Sequence, residues 1–225
     1  MLSFAEEIFL LALDDTTGRV YSYSDTISLG YSLIGAILSE LFFQRRIDTD
    51  IEHLIVVDKT PTRNKILDSI LSSLPEPEIR KSTSYWLKKL LYNSHKTQNL
   101  VLSELVNKRI LEIINKKIFW KFYVKRYHIL NNNEVTNVKN SIRKIILNKE
   151  EVPDSHEAAL IGFIHACNLS EIILSPREMN QSEQRIRDLA KIDPISREVI
   201  DIITKTENSS FSIFHIIRRI SNRIQ

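Results

Sequence analysis

Four glycines in 225 residues is a small number for a fold built on tight turns or close backbone approaches. Sheet-rich architectures and phosphate-cradling loops draw on glycine for positive φ and for room. The shortage points to helices. A single cysteine, Cys167, excludes a disulfide framework within the chain and fits a reducing compartment. No apolar run approaches the roughly 20 residues that span a bilayer. The opening residues from Met1 to Glu7 carry two acids and no basic cluster, which argues against a secretory signal. The expected location is the cytoplasm, with any membrane contact peripheral and on the cytosolic face.

Catalytic and metal signatures are missing too. His53, His95, His128, His156, His165 and His215 have no metal-ligand spacing with one another or with Cys167. Cys167 sits late in an apolar stretch and reads as a small core residue. No glycine-rich phosphate loop and no serine or cysteine nucleophile signature occurs. Glu6 with Glu7, and Asp14 with Asp15, are adjacent pairs whose side chains point apart on a helix, so neither makes an acid/base dyad. The chain reads as a non-enzyme with no metal and no cofactor.

Charge is present in quantity, but unevenly. The formal net charge is only +3. Residues 105–149 hold 11 Lys/Arg against 2 Asp/Glu, so the rest of the chain is acidic. Within that stretch the basic residues alternate with Ile118, Phe119, Trp120, Phe122, Tyr123, Val124 and Tyr127. A basic, aromatic, strand-like element suits an anionic surface, such as phospholipid or nucleic acid, or a second copy of the protein.

Periodicity predicts a mainly α chain. Expected helices cover 3–13, capped by Ser3, and 27–43, strongly apolar, with Leu29, Leu33, Ala36, Ile37, Leu41 and Phe42 inward. Residues 19–23 and 54–57 read as short strands. A helix carrying Ile66, Leu67, Ile70 and Leu71 follows Pro61, and Leu74 to Pro77 is a break. Helices are expected at 78–91 and 97–109. A hairpin is expected over 112–127 with its turn at Asn115-Lys116-Lys117. Asn131 to Asn133 cap a basic helix to 147. Later helices begin at Asp154, Pro176 and Pro194, and a last one is expected over 210–222. Trp86, beside Leu87, Leu90 and Leu91, reads as core.

Taken in order, several of these segments resemble the Golgi phosphoprotein 3 family. They are Glu6 to Asp15 with Gly18, Gly35 to Leu41 with Arg46-Ile47, Pro61-Thr62 with Leu67-Asp68, and Trp86-Leu87. Leu105 to Leu111, Asn131 to Asn133, Ala158 to Ala166 and Ile192-Asp193-Pro194 complete the set. The resemblance implies a single helical domain over 1–225, built around a central apolar helix, with a projecting β-hairpin used in self-association. It also implies binding of phosphatidylinositol 4-phosphate and service as an adaptor for a protein client.

In the family's lipid pocket, a tryptophan position matches Tyr23. An arginine position falls near Ile34, beside a two-residue insertion, and is lost, and two basic positions fall on His95 and Gln98, with Lys96 between. Neither isoleucine nor glutamine replaces bidentate contacts to phosphate. Anionic phospholipid headgroups are therefore expected to bind without strong phosphoinositide preference, through Arg19, Tyr23, His95, Lys96 and Gln98 together with Arg45 and Arg46. The hairpin residues Phe119, Trp120, Lys121, Phe122 and Tyr123 are expected to meet a membrane or a neighbouring subunit in a homo-oligomer. By period two, Ile118, Trp120, Phe122 and Val124 share one face. The alternative is a nucleic-acid-binding protein using 105–149. It is disfavoured because the remaining chain is acidic and no helix carries a set of base-reading polar residues.

Overall fold

The computed structural model describes residues 2–206 apart from 15–16, 21–25, 51–52, 77–78 and 120–121. Its elements in order begin with α1 (Phe4–Leu11), α2 (Thr26–Phe43), β1 (Ile47–Thr49), β2 (Leu54–Val56), α3 (Lys65–Leu71), α4 (Thr83–Leu91) and α5 (Ser94–Asn107). They continue with β3 (Leu111–Phe119), β4 (Phe122–Ile129), α6 (Asn132–Leu147), α7 (Ser155–Ala166), α8 (Ser170–Ile173) and α9 (Pro176–Leu189). A further helix, α10, occupies 194–206. The fold is mainly α, and among the described residues its sheets are two antiparallel pairs, β1-β2 and β3-β4.

Helix α2 is the axis. Leu33, Ala36, Ile37 and Leu41 are fully buried and Leu29 nearly so, while Phe42 is half-buried. The helix packs against α1, α3, α4, α5 and α7. Gly35 makes the last of these contacts close. A Cβ there would stand 2.7 Å from both Phe163 Cε1 on α7 and Val199 Cγ2 on α10. The apolar side chains of nearly every helix join one core cluster around α2.

Helix starts follow local chemistry. Ser3 and Glu6 form a capping box on α1, and Asp154 with Glu157 does the same on α7. Asn64, Ser82 and Asn131 cap α3, α4 and α6 through their side chains. At α10, buried Asp193 accepts from Ser196 N at 2.6 Å and from Ser39 Oγ of α2 at 3.3 Å. That cap therefore also ties α10 to the central helix.

Helix ends explain how the chain manages with so little glycine. Helices α2, α5 and α7 each end in a Schellman turn, with Arg46 N on Leu41 O, Ile110 N on Leu105 O and Leu169 N on Ile164 O. The left-handed residue, usually glycine, is Arg45 (φ 56°), Arg109 (φ 57°) and Asn168 (φ 56°).

Several boundaries differ from expectation. The hairpin turn is not at 115–117. Asn115 pairs with Lys125 and Lys117 with Tyr123, so those residues lie within β3 and the strands reverse between Phe119 and Phe122. Helix α4 starts at Thr83 rather than 78 because Lys81 is held extended, its carbonyl accepting from Leu54 N at 2.9 Å. Helix α5 starts at Ser94, earlier than 97. The three-residue β1 and the one-turn α8 were not anticipated, because neither is long enough to show a period. Val20 makes only an isolated bridge to Leu13, and Tyr21 to Tyr23 lie outside the described residues. So does the helix expected at 210–222.

The hairpin is rooted at its base. Leu111 is buried, and Tyr127 and Ile129 pack against the core. Tyr127 N donates to Gly18 O at 3.0 Å, and Leu130 N to Ile110 O at 2.8 Å. Gly18 has φ +61°, and a Cβ there would stand 2.6 Å from Tyr127 O. This position needs glycine both for its conformation and for the hairpin to dock.

Candidate functional site

The expected lipid-contacting residues fall into separate groups. His95, Lys96 and Gln98 lie in the first two turns of α5, close to the start of α2, where a Cβ on Gly30 would meet Ser94 Cβ at 3.2 Å. His95 and Lys96 are exposed, and Gln98 is half-buried with its Nε2 lacking a hydrogen-bond partner among the described residues. Arg45 and Arg46 follow the other end of the 18-residue α2, about 27 Å away at 1.5 Å per residue. Arg45 is exposed, whereas Arg46 is engaged by Asp58 and Thr60. Arg19 is exposed beside the hairpin base, and Tyr23 lies outside the described residues. Ile34, near which the expected arginine position falls, is fully buried in the core. The α5 group and the Arg45–Arg46 group are thus not parts of one pocket.

Beside the α5 group lies a groove of about 660 Å³ lined by Tyr31, Tyr85, Lys88, Lys89, Leu91 and Tyr92. The amphipathic α4 creates it. Trp86, Leu87 and Leu90 are buried, which turns Tyr85, Lys88, Lys89 and Tyr92 outward. Lys89 Nζ stands 4.8 Å from the Trp86 ring centroid, and Lys81 Nζ and Lys89 Nζ flank the Tyr85 ring at 5.8 and 5.9 Å. Trp86 itself packs edge-on to Tyr85. Tyr31 is buried, and burial, with Tyr92 adding to it, raises its phenol above the ordinary value. Sequence reasoning passed over this groove. The signal was available: residues 79–103 contain Arg80, Lys81, Lys88, Lys89 and Lys96 and no acid.

The basic segment 105–149 is not one continuous surface. Lys108 reaches across to Glu6, with Nζ 2.7 Å from Oε2 of a fully buried carboxylate. Arg143 engages Glu178 as a fork, and the Ser175 backbone and side-chain hydrogen bonds, with that fork added, lower the pKa of this carboxyl to about 2. Lys144 pairs with Glu151 at 2.8 Å. These cations join parts of the fold. Lys125 is exposed and Arg126 half-exposed on β4, near exposed Ile113 and Ile114 of β3. The side chains of 116–124, and with them the expected contacts of Phe119, Trp120, Lys121, Phe122 and Tyr123 and the expected common face, lie outside the described residues.

The remaining titratable groups have structural surroundings. Burial pushes the Cys167 thiol up to about 12, which leaves it unreactive. His156 Nε2 lies 3.2 Å from Glu7 Oε2, and that hydrogen bond holds its pKa above the usual histidine value. Burial raises Glu40, whose Oε2 accepts from Phe4 N at 3.1 Å. Burial lowers His165. Among the described residues no three histidine, cysteine or acidic side chains converge as metal ligands.

Among the described residues, no helix is long and apolar enough to cross a membrane. No curated protein matches the chain. A family model does match, over residues 4–206, from the first residue of α1 to the last described residue of α10. A match over nine-tenths of the sequence settles the family: the chain belongs to the Golgi phosphoprotein 3 (GPP34) family.

Proposed function

We propose that this protein is a non-enzymatic peripheral adaptor that recognises anionic phospholipid on a membrane surface and presents a protein client there. The observation that carries the reading is membership of the Golgi phosphoprotein 3 family across 4–206. The exposed His95 and Lys96 beside the basic, aromatic α4 surface support it. Each basic side chain near an anionic bilayer is worth about 1 kcal/mol, so a handful suffices for measurable, salt-sensitive attachment. Selectivity for phosphatidylinositol 4-phosphate is expected to be weak. Ile34 is sealed in the core and Gln98 is neutral, so two fixed phosphate-binding charges are absent. Vesicle flotation tests the reading. Recovery with anionic vesicles should exceed that with neutral ones, fall with salt, and change little when phosphatidylinositol 4-phosphate replaces another anionic lipid at equal charge. Equal recovery with neutral and anionic vesicles would refute it.

The hairpin is assigned to self-association. Its exposed Ile113 and Ile114, together with Lys125, put apolar surface and positive charge on an arm that extends from the helical body. The chain outside 105–149 carries net negative charge, which gives a neighbouring copy a complementary surface.

A further inference from the structure

We propose that the α4 groove, rather than the position of the family's lipid pocket, is the face that seats on an anionic bilayer. The inference rests on the lipid reading above and names the residues that carry it: Lys81, Lys88 and Lys89 for the phosphates, Tyr85 and Tyr92 for the headgroup layer. Tyr92 is 92% exposed and Tyr85 43% exposed, and tyrosines beside lysines at a rim are what a membrane–water interface accommodates best. Charge complementarity sets the occupant. None of the groove's lining residues is acidic, and Lys81 and Lys89 gather on the Tyr85 ring, with no ion pair among the described residues.

The same ingredients could suggest single-stranded nucleic acid, but stacking needs successive free ring faces. Tyr31 is buried, and Tyr85 is flanked by two ammonium groups with Trp86 at its side. Of the groove's tyrosines, Tyr92 alone is exposed with no ring or ammonium partner among the described residues. A bilayer needs no stacking platform, because it takes the tyrosine hydroxyls and the lysine ammoniums together at one depth.

The test compares the full chain with Lys88→Gln/Lys89→Gln, with Tyr92→Ser, and with a charge-matched control, Arg177→Gln/Lys191→Gln, made on and just after α9. The probes are phosphatidylcholine vesicles with and without about one-third phosphatidylserine, and a single-stranded DNA gel shift. The lysine pair should lower partitioning onto anionic vesicles about 30-fold at low salt, and Tyr92→Ser several-fold. The control should stay within about threefold of the unmodified chain. All four positions of the two charge variants are exposed, so folding, checked by circular dichroism, should be unchanged. If the unmodified chain binds anionic vesicles and the lysine pair binds equally well, the groove assignment fails while the lipid reading stands. If the unmodified chain ignores anionic vesicles, both fail. A lysine-dependent DNA shift without vesicle binding would overturn both in favour of nucleic acid.

Discussion

Replacing Arg45 and Arg109 by glycine should make this protein more stable, although each change deletes a long side chain. Both residues sit in the left-handed region, at φ 56° and 57°, as the C′ residues of the Schellman turns that end α2 and α5. For a residue with a Cβ that conformation costs about 1–2 kcal/mol. Glycine removes the cost but adds unfolded-state entropy worth about 0.5–1 kcal/mol. The net gain is about 0.5–1 kcal/mol per site. The two sites end different helices and share no partner among the described residues, so the gains should add. For a chain of this size the double variant should unfold roughly 2–8 °C higher, at a higher urea midpoint with unchanged slope. Far-ultraviolet circular dichroism during thermal and urea unfolding reads both. Asn168→Gly is the internal control: asparagine tolerates this conformation better, so its gain should be smaller. A double variant whose midpoint stays put or falls would refute the view that these arginines occupy glycine positions under strain.

Three further outcomes follow from the packing and the charges. Lys108→Ala strands the buried Glu6 carboxylate without its ammonium partner, and should cost about 2–3 kcal/mol in urea unfolding, moderated by the partial exposure of the lysine. His156 has a pKa raised by its hydrogen bond to Glu7, so its contribution is complete below about pH 6.5 and is lost as pH rises through the folded value. A urea midpoint that falls across that range, and falls less in His156→Gln, is expected. The difference should stay under about 1 kcal/mol because the imidazole is part exposed. Deleting residues 115–125 should leave the helical body folded but monomeric, and light scattering that finds the same mass before and after would show that the hairpin plays no part in assembly.

Much of the helical frame was legible because each helix carries its own start signal. Ser3, Asp154 and Pro176 announce their helices by residue type, and the apolar run of α2 is too continuous for a surface element. The hairpin was legible as a hairpin, but its turn was misplaced. Asn115-Lys116-Lys117 has turn-like composition, while the register depends on Leu111 pairing with Ile129 at the base, a pairing no local window contains. Long-range ties were invisible for the same reason. Arg185 of α9 donates to the carbonyls of Ile145, Asn148 and Glu151 and so closes the end of α6. The separation of Arg45 and Arg46 from His95 likewise rests on the start of α5 packing beside the start of α2, a contact no local window contains. The α4 groove was missed because its tyrosines and lysines alternate with core residues at helical spacing, so that each alone reads as ordinary.

The rooting of the hairpin fixes more than its attachment. From Ile113 to Phe119 the strand advances roughly 20 Å at about 3.3 Å per residue, and it does so from a base bonded to Gly18 through Tyr127 and packed on the core through Leu111 and Ile129. An arm held at two points behaves as a ruler rather than a tether. Any neighbour it touched would be met at a set distance and heading, so copies joined this way would repeat at a regular interval across a surface rather than cluster at random.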